Sequence, residues 1–214
     1  MWGPSGPCIF IEKIMTTQIT PTTELQAVNI MLSTIGEAPV NSIAGNTTVD
    51  VSTAINILNE TSMSIQSQGW NFNTSENVTL SLDVDSKIPL PANCVQADSS
   101  RQFRHINVVM RDGYLYDMEK HTDIFTSVTP VDLVLVQLFD SLPEFARRYI
   151  TMKAARRFAS RFIGDKEITQ LIAQDEQESY IAFVQADTRS ADHNILDGDY
   201  NTYNIANRTP RRTY

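Results

Sequence analysis

Apolar residues recur along this chain with two different periods, and the change of period divides it. Leu25, Val28, Met31, Leu32 and Ile35 fall three or four positions apart, the spacing of one helix face. Thr22 or Thr23 can cap this helix, Glu24 suits its positive first turn, Gly36 ends it and Pro39 stops it resuming. A second helical stripe of Val51, Ala54, Ile55, Leu58 and Ile65 starts near Asp50 and stops at Gly69. The two stripes predict a helical hairpin.

From 77 to 138 the helical period is absent. Short β-favouring runs take its place: Val78–Leu82, Ile106–Met110, Tyr114–Tyr116 and Val131–Leu138. Arg111-Asp112-Gly113 carries the Asp-Gly signature of a tight hairpin turn. Ile88-Pro89-Leu90-Pro91 is excluded as a central strand, because two prolines remove ladder donors. Helical spacing returns at Pro143, with Ser141 before it to cap the new helix. Residues 143–163 make about 30 Å of helix, Gly164 closes it, and a fourth helix runs from about Asp165 to Ala186. The stretch from Asp187 to Tyr214 has turn residues and no apolar period, as an arm would.

The pattern therefore predicts an α+β fold: an antiparallel bundle of about four helices with a small inserted β domain and an extended C-terminal arm. Residues 1–20 form an N-terminal arm, 21–76 and 139–186 the bundle, 77–138 the β domain and 187–214 the C-terminal arm.

The third helix bears two apolar faces. Phe145, Tyr149, Met152, Ala159 and Ile163 share one; Ile150, Ala154, Phe158 and Phe162 share another. A surface helix needs one stripe, so two imply cover from two sides, either within its own bundle or from a neighbouring subunit. Lys153, Arg157 and Arg161 form a row between those faces. It is either a solvated edge or a surface meeting carboxylates, which Asp175, Glu176 and Glu178 of the fourth helix can supply. Arg156 projects into the Phe145–Ile163 face, where an unpaired guanidinium is costly, so a carboxylate partner is expected.

Composition narrows the chemistry. Hydrophobic residues make up 42% and charged residues 20% of the 214, as in an ordinary folded protein. The net charge of −8 argues against tight, specific DNA recognition, which needs a basic footprint. Cys8 and Cys94 cannot make a disulfide framework, and His105, His121 and His193 are dispersed, without metal-ligand spacing. No apolar run approaches the roughly 20 residues that cross a bilayer. Met1–Ile14 lacks the basic start and cleavage site of a signal peptide, and Met15 is an alternative start. Asp197, Asp199 and Asn201 mimic the start of a calcium loop, but Thr202 and Arg208 stand where glycine and glutamate are required. There is no Gly-rich phosphate loop and no nucleophile elbow. No cofactor or metal is expected.

Several stretches, in order, form a recognisable set. They are Leu25-x-Ala27-Val28-Asn29, Ile35-Gly36-Glu37-x-Pro39-Val40, Ile65-Gln66-Ser67 and Gly69-Trp70-x-Phe72-Asn73. Gly113-Tyr114-x-Tyr116-Asp117 follows, then Pro143-Glu144-Phe145, Lys153-Ala154, Arg156, Phe158, Arg161-Phe162 and Gly164, and finally Leu196-Asp197-Gly198-Asp199. Over residues 22–200 the chain resembles the tail tubular protein A family, the adaptor subunits of short-tailed bacteriophages. The resemblance implies a non-enzymatic virion protein, made in the host cytoplasm and built into the tail. Its implied state is a homo-oligomeric ring of about twelve copies between portal protein and tail nozzle protein, with tail fibres attached near the nozzle junction. Packaged DNA would pass through the lumen without specific binding, and no membrane is involved. The helix reading and the matching stretches together nominate Trp70, Phe72, Lys153, Arg156, Arg157, Arg161, Leu196, Asp197, Asp199 and Tyr200 as subunit or partner contacts. The competing reading is a tail-associated glycan or peptidoglycan hydrolase. It requires a cleft with two facing carboxyls, one of them strongly perturbed.

Overall fold

The computed structural model describes residues 20–45, 48–103, 106–162, 164 and 166–191. Helices α1 (Glu24–Thr34) and α2 (Val49–Gln66) precede five short strands, and α3 (Glu144–Phe162) and α4 (Lys166–Ser190) follow them. The fold is α+β. Thr23 caps α1 in a capping box with Gln26, while Thr22 binds the Glu144 carboxylate at the start of α3 through its N–H (2.7 Å) and hydroxyl (2.6 Å). At the other end of α1, the N–H groups of Gly36 and Glu37 return to the carbonyls of Ser33 and Leu32. Asn29 then clamps the outgoing loop, accepting from Val40 N–H at 2.8 Å and donating to its carbonyl at 3.0 Å. The buried face of α2 includes Ile57, which replaces the half-buried Ile55 in the expected stripe.

The strands are β1 (Thr74–Val78), β2 (Cys94–Ser99), β3 (Val108–Arg111), β4 (Tyr114–Asp117) and β5 (Val131–Leu135). An antiparallel sheet runs β1-β5-β2, and β3-β4 is a separate hairpin. Its turn is the expected one: Asp112 (φ 53) and Gly113 (φ 80) both adopt the left-handed conformation that a primed turn requires. The Ile88–Pro91 segment makes only an isolated bridge, Pro89 to Tyr114, at the margin of β4.

Four sequence expectations need correction. The first strand occupies Thr74–Val78, before the expected run; Leu80 and Leu82 pack on the β core without ladder pairing. Strand β2 was not expected, because Gln96 and Asp98 dilute its apolar signal; its buried positions are the small residues Cys94, Ala97 and Ser99. Strand β5 stops at Leu135 instead of Leu138, because Gln137 is captured by α2. Finally, Ser141 does not cap α3. It sits in a 3-10 turn, Phe139–Ser141, and the Pro143 carbonyl receives the first helical N–H groups, those of Ala146 and Arg147.

Two apolar cores result. The helical core gathers Val28, Met31, Leu32, Leu58, Ile150, Phe158 and Phe183, with Trp70 and Phe72 packed against it. The second lies under the strands, with Ile88, Val108, Leu115, Phe125, Val131 and Leu133. Between them the fully buried Gln66 amide accepts from Gln137 N–H (2.8 Å) and donates to the Gln137 carbonyl (3.0 Å) and to Ser62 (2.9 Å). Asn73 donates to the Gln66 carbonyl at 2.7 Å and accepts from Trp70 N–H at 2.8 Å. Gly69 makes this corner possible: its φ is 74°, and an added Cβ would lie 3.2 Å from Val134 Cγ2.

Replacing Gln66 by Leu keeps the volume but leaves both Gln137 backbone groups without that partner. We expect a loss of about 2 kcal/mol in urea unfolding, with the helical circular dichroism unchanged. A second test concerns Asp117, whose buried carboxylate accepts from the N–H groups of Lys120 and Glu119, each at 2.9 Å. The Lys120 N–H above all holds this carboxyl below its ordinary value of 3.8, against the opposing effect of burial. The stabilisation is complete above the ordinary value and is lost as pH falls through the lowered one. Amide protection factors in the β3-β4 hairpin should fall in that acid window, and Asp117→Ala should flatten the dependence.

Candidate assembly surface

Helix α3 lies between α4 on one side and α1 with α2 on the other. Its two apolar faces are both used inside the chain. Tyr149 stacks on Phe183 of α4 (centroids 5.1 Å apart), and Phe145 lies 5.8 Å from the same ring. Ile150, Ala154 and Phe158 enter the core shared with α1 and α2. The doubled stripe is thus that of a central helix in its own bundle. Only its last turn leaves an aromatic in solvent, Phe162, 41% exposed. Ile163 lies outside the described residues.

The cationic row meets a carboxylate, though from a helix other than the expected one. Arg161 pairs with Glu60 of α2 at 3.5 Å, and Arg157 approaches Glu60 at 4.0 Å and donates to the buried Thr61 hydroxyl at 3.1 Å. Among the described residues Lys153 reaches the Tyr149 phenol, at 3.1 Å, and no carboxylate. Asp175 and Glu178 do not meet the row, because the α4 face turned to α3 carries Ser179, Phe183 and Asp187. Arg156 has the expected carboxylate partner within the bundle: it pairs with Glu176 of α4 through Nε and, at 3.4 Å, through Nη2. The Arg156 side chain is 40% exposed, since it runs out along the helix pair instead of into the core.

Trp70 and Phe72 are half-buried and committed largely to the chain's own core. Trp70 lies 4.3 Å from Phe183 edge-on and donates its indole N–H to the Ile65 carbonyl at 2.8 Å. Leu196, Asp197, Asp199 and Tyr200 lie outside the described residues, as does most of the expected arm. The start of that arm is corrected: α4 continues to Ser190, past Ala186. Asp187 is buried there, and its carboxylate accepts from Asn71 N–H (3.1 Å) and the Asn71 side chain (2.9 Å). Neither Asp187 nor Arg147 stood out in the sequence. Arg147 gathers the carbonyls of Leu142 (2.6 Å), Thr22 (2.9 Å) and Asp140 (2.6 Å), tying the chain before α1 to the start of α3. No local pattern announces that this guanidinium also reaches the Thr22 carbonyl far back in the chain.

Concave surface is scarce in chemistry. A groove of about 530 Å³ between α2 and the sheet is lined by residues such as Met63, Val95, Val136 and Leu138, and none of its lining side chains is ionisable. A second recess beside the β3-β4 hairpin holds Lys87, Arg111, His121 and Asp123. Lys87 pairs with Asp123 at 2.6 Å, and its hydrogen bond holds that carboxyl below the usual range, opposite to what a general acid needs. Arg111 lies over the Tyr116 ring at 3.9 Å. Among the described residues no group of His, Cys, Asp or Glu is arranged to hold a metal, and no helix is long and apolar enough to cross a membrane.

The Arg156–Glu176 pair makes a direct test. Glu176 is only 14% exposed, so Arg156→Leu should cost about 1–2 kcal/mol by stranding it, and adding Glu176→Leu should recover most of that loss in urea unfolding.

No match was found among curated proteins. The family model described as tail tubular protein matches residues 25–193, from the first turn of α1 to beyond the end of α4. That match takes in well over half of the chain. The chain belongs to the tail tubular protein family, and it is a structural protein of the phage tail.

Proposed function

We propose that this chain is the adaptor subunit of a short-tailed phage, closing as a ring of about twelve copies between portal and tail nozzle, with DNA passing through its lumen. Tail fibres attach near the nozzle junction. The observation that carries the reading is the ordered motif set shared with such adaptors, which falls on the joints of the fold. Asn29 and Val40 form the clamp after α1, and Trp70, Phe72 and Asn73 build the corner after α2. Gly113 makes the hairpin turn, and Arg156 ties α3 to α4.

The charge fits transit without gripping. A chain at −8 repels phosphate on average, and an acidic lumen keeps passing DNA from stalling. A hydrolytic reading gains no support from the groove, which has no ionisable lining, or from Asp123, whose carboxyl is paired with Lys87 and held below its usual range. Trp70, Phe72 and the α3 cations remain our proposed contributors to partner contacts through the parts of each that face solvent.

Mixing the purified chain with its cognate portal and imaging by electron microscopy tests the assignment. Rings seated on portal are expected. A chain that stays monomeric and binds neither portal nor nozzle would refute it.

A further inference from the structure

We propose that the outward face of α4 docks on the cationic seam along α3 of the next copy, as the repeating lateral contact of the ring. The inference rests on the ring assignment and specifies which two surfaces meet. A ring needs a head-to-tail contact between two different patches of one subunit. The bundle has two such patches on opposite flanks.

The first is on α4. Ser179, Phe183 and Asp187, spaced i, i+4, i+8, are buried against the rest of the chain. Leu171, Asp175 and Glu178 are all exposed on the same helix. Leu171 is 64% and Ile181 49% exposed, large apolar surfaces on a helix whose other side is already packed. Asp175 and Glu178 form no ion pair among the described residues, and no cation lies within four positions of both along the helix.

The second patch is the seam. Among the described residues the row meets a single carboxylate, Glu60, which Arg161 reaches at 3.5 Å and Arg157 at 4.0 Å, while Lys153 does not reach it. Positive charge is in surplus here, in a chain whose total is −8. A depression of about 330 Å³ between α3 and α4 is lined by Tyr149, Arg156, Ala173, Glu176, Gln177 and Tyr180, and Lys153 donates to the Tyr149 phenol in its wall. It can accept an apolar side chain such as Leu171 or Ile181. The two patches thus offer exposed apolar side chains accompanied by anions, and a hollow next to a row of cations. That combination gives an interface both its buried centre and its register.

Charge reversal on the full-length chain tests the contact. One variant carries Asp175→Lys and Glu178→Lys, a second Lys153→Glu and Arg161→Glu, and a third all four changes. Arg157 is left alone because it binds the buried Thr61 hydroxyl. Each is checked for wild-type circular dichroism and then assembled on portal, with rings counted by electron microscopy across protein concentration. Each two-site variant should need roughly tenfold more protein or worse, and the four-site variant should recover assembly. Two-site variants that assemble as wild type does, or a four-site variant that fails to recover, overturn the contact while the ring stands. A wild-type chain that assembles on nothing overturns the ring and this contact with it.

Discussion

The bundle and the sheet are joined by one buried amide. Gln66 sits at the last turn of α2, where backbone groups run out of helical partners, and its side chain serves the backbone of Gln137 as β5 leads into α3. A side chain that both donates and accepts can satisfy a peptide unit completely, which neither an apolar nor a charged residue could do there. The corner after α2 and the exit from β5 are therefore fixed relative to each other. The Gln137 side chain extends the link by donating to the Phe72 carbonyl at 3.1 Å. Everything that α3 later organises starts from that position.

The helices were legible in the sequence because each buries a stripe long enough to show a period, and because Thr23, Gly36, Pro143 and Gly164 punctuate them. The β section was less so. Strands of four to six residues carry at most three buried positions, too few to define an alternation. Strand β2 fills its inward positions with Cys94, Ala97 and Ser99, which no hydropathy pattern singles out. The Asp-Gly turn was readable because only a few residues tolerate its backbone. Strand β1 was misplaced because Thr74, Ser75 and Glu76 read as a polar loop, while β5 supplies the apolar side of the pair.

The proposed contacts divide in the same way. A carboxylate partner for Arg156 could be argued from the cost of an unpaired cation. The choice of Glu60 for the Lys153–Arg161 row could not, since it depends on how α2 lies across α3. Long-range links such as Asp187 with Asn71, or Arg147 with Thr22, depend on residues more than a hundred positions apart. Such pairings leave no local trace. They nonetheless connect the fold's far ends, and the surfaces left over, chiefly the outward side of α4, are what the molecule has to offer a neighbour.

The grip of Asp187 on Asn71 also has a mechanical side. It lies one turn before Ala191, near the end of α4. Tension applied to the chain beyond that point would be borne by a carboxylate holding two N–H groups in shear, and would pass into the corner beside Trp70. A tail component anchored in this way can carry load through its trailing end without first giving up its core.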